Sequence, residues 1–215
     1  MQQDFWHNCW DKNSTGWHQS ECQPMLAEYL PSLWRATDQH IFVPLCGKSD
    51  DLVFLTEHGK VVGNELSAIA CQQFFSEHKL AYTTQEKQPF TVYQSANIDI
   101  YQGDFFSLNV DDFQTFDWIY DRAALIALPE SMQVDYVAKL KRFFGANTRL
   151  FLLTLEYDQQ QMSGPPFNID EQRVNRLFKG LTIEKLASRE LADSRFAQRT
   201  FPVSKLVESL YIISL

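Results

Sequence analysis

The chain has 215 residues, 45% of them hydrophobic and 21% charged, with a formal net charge of −8. That length and apolar share suit a single domain, residues 1–215, whose core needs no disulfide or metal staple, and they exclude a disordered chain. The acidic balance excludes a basic groove for phosphate backbones, so no nucleic-acid partner is expected.

No apolar run reaches the roughly 18 residues that would span a bilayer, so no membrane partner is expected either. The start, Met1-Gln-Gln-Asp-Phe-Trp6, lacks the basic-then-apolar pattern of a secretory signal, which points to a cytoplasmic protein. Cys9, Cys22, Cys46 and Cys71 form no Cys-x-x-Cys pair and read as thiols of a reducing compartment. The histidines show no zinc spacing, so no metal is expected.

The first 37 residues carry Trp6, Trp10, Trp17 and Trp34 with polar residues between them. Two readings fit: one or two helices packed on the fold, or a flap whose aromatic faces close over a flat or cationic guest. Then strands and helices alternate. Residues 41–45 (Ile-Phe-Val-Pro-Leu) are a strand. Ser49-Asp50 offers a cap for a helix through Leu52 and Leu55 that stops at Gly59. Residues 60–64 form a second strand ending at Glu65. Ser67 caps a helix with Ala70, Cys71, Phe74, Phe75 and His78 on one stripe.

Residues 98–101 and 116–120 are the next strands, and Pro129 leads a helix through Val134, Val137, Leu140 and Phe144. Residues 150–155 are a continuous apolar strand, as in a sheet covered on both faces. A helix over 171–178 precedes strands at 181–186 and 210–215, which are placed to pair antiparallel at the sheet edge. Strands separated by helices imply crossovers and a mainly parallel α/β sheet.

In such sheets ligands bind beyond the carboxyl ends of the strands. That rule selects residues 44–48, Glu65, residues 103–106 and Asp121-Arg122. Gly47-Lys48-Ser49 is no phosphate loop, because Phe42 stands where that motif needs glycine; the dinucleotide glycine fingerprint is absent too. A nucleoside without phosphates remains. Glu65 is placed to accept from two ribose hydroxyls, or is a solvated strand-end acid. Asp104 can accept from a purine amine with Phe105-Phe106 stacking on the ring, or close a Gly-Asp turn over two core rings. Arg122 can hold an anion at the cleft mouth, or form a structural ion pair.

Five stretches occur in order: Phe42-Val-Pro-Leu-Cys-Gly-Lys48, Val62-Gly-Asn-Glu-Leu-Ser67, Gly103-Asp-Phe-Phe106, Asp121-Arg-Ala-Ala-Leu125 and Gly164-Pro-Pro-Phe167. Together they resemble the thiopurine S-methyltransferase family, particularly its bacterial members, over nearly the whole chain. The resemblance implies a Rossmann-like class I fold with a seven-stranded, mostly parallel sheet, helices on both faces and an antiparallel last strand. It implies S-adenosyl-L-methionine as cofactor, S-adenosyl-L-homocysteine as product and a small-molecule thiol acceptor; separately, a monomer is expected.

It assigns Trp10, Leu45, Gly47, Glu65, Asp104, Phe105 and Arg122 to the cofactor, with Arg122 also catalytic. Trp17 faces the acceptor, and residues 1–37 cover the site. Arg195 or Arg199 would assist Arg122. Three positions depart from the family pattern: Cys9, where a basic residue is usual, Trp17-His18 for Phe-His, and Asn64, where a small apolar residue is usual. The competing readings are methylation of inorganic selenium or tellurium species or another small thiol, a non-catalytic nucleoside-binding module, and a nicotinamide dehydrogenase.

Overall fold

The computed structural model describes residues 3–215. The first two residues of the N-terminal segment lie outside the described residues. Contacts divide the chain into two compact units, one running to Gln114 and the other covering Thr115–Leu215.

The first unit opens with helices α1 (Gln3–Asp11) and α2 (Pro24–Leu33), so the N-terminal segment is helical. Gln23 caps α2: its side-chain oxygen accepts from the Met25 and Leu26 N–H groups, and its own N–H donates to Asp51 at 2.7 Å. Next in the chain come β1 (His40–Val43), α3 (Asp51–Thr56), β2 (Lys60–Glu65), α4 (Ala68–Glu77), β3 (Thr83–Lys87), β4 (Phe90–Gln94) and β5 (Ile98–Gln102). Strands β1, β2 and β5 run parallel, while β4 pairs antiparallel with β5 and β3 with β4. Ser67 caps α4 through the Ala70 N–H, and Ala70, Cys71, Phe74 and Phe75 are buried as the periodicity predicts. His78 falls just past the helix end, as its C-cap.

The second unit contains β6 (Phe116–Asp121), α5 (Glu130–Lys141), β7 (Phe144–Glu156), α6 (Glu171–Leu177), β8 (Thr182–Glu190), a ribbon of β9 (Arg195–Phe196) and β10 (Arg199–Thr200), and β11 (Val207–Ser214). Strands β6 and β7 are parallel; β11 lies antiparallel between β7 and β8. Residues 148–155 of β7 are buried without a break, which is the signature of a strand covered on both faces.

Some expectations are corrected. Helix α5 buries Gln133, Tyr136, Val137 and Leu140, a stripe that turns Val134 outward to 56% exposure. Phe144 starts β7 instead of ending α5. Among the described residues the main strands number nine where seven were expected, and the additional two are the hairpin β3–β4.

Candidate active site

In the first unit the loop after β1 turns sharply. Leu45 and Gly47 both have positive φ, +49° and +57°. Glycine takes that conformation freely, whereas leucine is held in it by its surroundings. The Cys46 N–H donates to the Asn64 carbonyl at 2.9 Å, which keeps the loop beside β2. Gly63 is small for a reason: a β-carbon there would lie 2.9 Å from Cys46 Sγ.

Glu65 closes β2, only 6% exposed. Its Oε2 accepts from the Gly47 N–H at 2.9 Å and its Oε1 from the Ser67 N–H at 2.7 Å. Burial pushes its carboxyl up to about 7, against the downward pull of backbone N–H groups at Ser67, Gly47 and Leu66. Burial, and then the Glu65 charge, raises the Cys46 thiol well above its ordinary value, so this cysteine is an inert packing residue.

Asn64, the departure from the family pattern, has a structural account. Its amide nitrogen donates to the carbonyls of Tyr101 at 2.9 Å and Gly103 at 3.1 Å. The Gly103 N–H donates to the Glu65 carbonyl, so the turn after β5 is tied to the end of β2. Gly103 must be glycine: φ is +152°, and a β-carbon would strike the Phe90 ring at 2.6 Å. Asp104 comes after it and accepts from the Phe106 N–H at 3.0 Å, capping a short 3-10 turn. Phe105 is buried and its ring stacks on Phe42, while Phe106 is the exposed member of the pair.

The N-terminal segment reaches this loop. The Trp10 ring would lie 3.5 Å from a β-carbon at Gly47, and Trp10 is 5% exposed. Trp17 meets Trp10 edge to face at 5.9 Å, and Trp6 meets Trp17 at 5.2 Å. Trp10, Trp17, Gly47, Glu65 and the turn bearing Asp104 are thus linked by contacts within one unit, and Leu45 lies in the same loop as Gly47.

In the second unit, Asp121 ends β6 fully buried. It accepts from the Tyr136 hydroxyl at 2.7 Å and the Leu125 N–H at 3.1 Å. Burial raises its carboxyl to about 6, despite those hydrogen bonds. The Arg122 guanidinium lies over the Phe196 ring at 5.6 Å, a cation–π contact with the β9–β10 ribbon. Arg195 and Arg199 are exposed on that ribbon. The Gly164-Pro-Pro-Phe turn is tied to the segment after Arg122, because the Phe167 N–H donates to the Ile126 carbonyl at 2.6 Å. The Tyr157 hydroxyl, just past the end of β7, donates to the Pro166 carbonyl. Tyr136 and Phe196 were not legible as the partners of Asp121 and Arg122. A helix tyrosine and a ribbon phenylalanine carry no local signal until the fold brings them to Asp121 and Arg122.

The fold is that of the S-adenosylmethionine-dependent methyltransferases. One such enzyme from Anabaena variabilis superposes with a TM-score of 0.68 at 15% identity, over 97% of this chain and 93% of its own. Sequence narrows the class. A family profile for thiopurine S-methyltransferase matches residues 1–214. Thiopurine S-methyltransferases from Photobacterium profundum (39% identical; 99% of both chains) and Shewanella pealeana (40%; 98% of this chain, 97% of that one) match almost end to end. The chain belongs to the thiopurine S-methyltransferase family.

Proposed function

We infer that this protein is an S-adenosylmethionine-dependent S-methyltransferase that moves a methyl group to the sulfur of a thiopurine or a similar aromatic thiol. The carrying observation is Glu65. Its two oxygens offer about four acceptor sites against the backbone N–H groups of Gly47, Ser67 and Leu66, so acceptor capacity remains for a ribose hydroxyl. The Leu45–Gly47 turn, with Trp10 against it, offers a glycine backbone that a methionine portion can approach closely. Bound there, the cofactor supplies a methyl carbon already activated by its sulfonium charge.

The remaining work falls to alignment and exclusion of water. Residues 1–37 form the aromatic cover of a single domain, with Trp10 on the cofactor loop and Trp17 toward the acceptor. Asp104 and Phe105 border the adenine. A thiol reacts as its thiolate, and the Arg122 guanidinium favours that anion. Arg122 is kept in place by Phe196, and Arg195 or Arg199 adds charge from the same ribbon. The acceptor is a small molecule, and the acting species is a monomer in the cytoplasm.

Incubation of the purified protein with methyl-labelled S-adenosylmethionine and a panel of a thiopurine, an aryl thiol, selenite and tellurite tests the reading. Labelled S-methyl product from the aromatic thiols is expected. Label only on the inorganic species, or none at all, overturns it.

A further inference from the structure

Lys48 belongs to the Gly-Lys-Ser sequence that is not a phosphate loop, and neither the donor site nor the acceptor side uses it. Its side chain is only 10% exposed, and its ammonium lies 2.5 Å from a carboxylate oxygen of Glu77, in the last turn of α4. Lysine is seldom this buried without a partner. Two residues on, Asp50 lies 3.2 Å from His78 Nε2, just beyond the same helix end.

The contacts close a circuit. Glu65 holds the Gly47 amide with one oxygen and the Ser67 amide, at the N-cap of α4, with the other. From that cap α4 runs on to Glu77, and Glu77 returns to Lys48, the neighbour of Gly47. The turn within this circuit contains Leu45 and Gly47 in left-handed conformations, and such a conformation at leucine persists only where the surroundings enforce it. Lys48 follows Gly47 directly in the chain, so the ion pair to Glu77 and the amide held by Glu65 belong to one turn.

We propose that Lys48 and Glu77 are positioning residues for the methyl-donor loop: their ion pair sets the Gly47 amide against Glu65 and so tunes affinity for the donor, not the chemical step. The inference rests on the assignment of the donor site to Glu65 and its loop. Removing the Glu77 charge leaves the buried ammonium uncompensated and releases the loop from α4.

The test uses the full chain with Glu77→Gln, Lys48→Met and Lys48→Arg, measuring S-adenosylhomocysteine affinity by calorimetry, the KM of each substrate, kcat and the thermal midpoint. Glu77→Gln and Lys48→Met are expected to raise the donor KM and the dissociation constant about tenfold, roughly 1.4 kcal/mol. Acceptor KM and kcat at saturating donor should stay within about twofold of wild type. Lys48→Arg, which keeps the charge, should restore most of the donor affinity.

If Lys48→Met does not fold, Glu77→Gln decides, because Glu77 is half-exposed. Wild-type donor KM in folded Glu77→Gln overturns the proposal. So does an equal loss for both substrates that tracks the thermal midpoint. Should the wild-type protein itself neither bind S-adenosylhomocysteine nor transfer methyl, the assignment of the site falls first and takes this inference with it.

Discussion

Glu65 is a buried carboxylate held by backbone amides with acceptor capacity to spare, and its protonation state controls whether further donors are welcome. Ribose hydroxyls donate best to the charged form. Its carboxyl sits at about 7, so below that pH a growing fraction must lose a proton before binding. Donor-site affinity should therefore fall by about tenfold per pH unit below pH 7 and level off above it. Calorimetry with S-adenosylhomocysteine from acid to mild base reads this directly, and a flat profile would detach Glu65 from the ligand. Glu65→Ala should cost about 1–3 kcal/mol of binding at neutral pH, the scale of lost hydrogen bonds to a charged group.

Arg122→Ala should lower kcat/KM by about ten- to a hundredfold, the loss of one charge-assisted contact, with a smaller effect on the thermal midpoint. Wild-type kinetics in the folded variant would remove its role. At this scale Glu65 and Arg122 are candidates because the sequence shows where strands end, and their roles are what these two experiments decide. Asn64 was visible only as an oddity, since its two carbonyl partners are 37 and 39 residues away.

At the scale of elements, legibility tracked burial except at β4, which buries Phe90, Val92 and Tyr93 and still went unread. Strand β7 and helix α4 announced themselves through apolar runs and stripes. The hairpin partner β3 did not: Thr-Thr-Gln-Glu-Lys is exposed at every residue, so no period-2 alternation exists to read. The β9–β10 ribbon is too short for any pattern, at two residues per strand. For the N-terminal segment the tryptophans left two readings open, packed helices or a flap, and α1 and α2 show the helices.

Helix α1 can be removed with limited damage to the rest of the chain, because the anchor of α2 is Gln23, donating to Asp51 at 2.7 Å, downstream of the cut. Deletion of residues 1–20 should leave circular dichroism and cooperative unfolding close to the parent while turnover drops sharply, because Trp10 and Trp17 leave the Gly47 loop. A truncated protein with full turnover would show that the aromatic segment does not cover a working site.

At the scale of the molecule, each compact unit buries one carboxyl at the end of a parallel strand, Glu65 on β2 and Asp121 on β6. Both bind their protons more tightly folded than unfolded. The relevant windows run from 4.5 to about 7 for Glu65 and from 3.8 to about 6 for Asp121. Inside those windows the native state holds a proton that the unfolded chain has released, so stability is highest at the acid side and is lost as pH rises. The size is on the order of 3 kcal/mol for each group. The net charge of −8 acts in the same direction, since self-repulsion eases as carboxylates protonate. The thermal midpoint of the ligand-free protein should therefore rise as pH is lowered from about 8 to about 5.5, contrary to proteins whose buried carboxylates are ion-paired. The double variant Glu65→Gln, Asp121→Asn carries no proton to lose at either strand end and should show a much shallower rise over the same range. A slope equal to that of wild type would assign the response to surface charge alone.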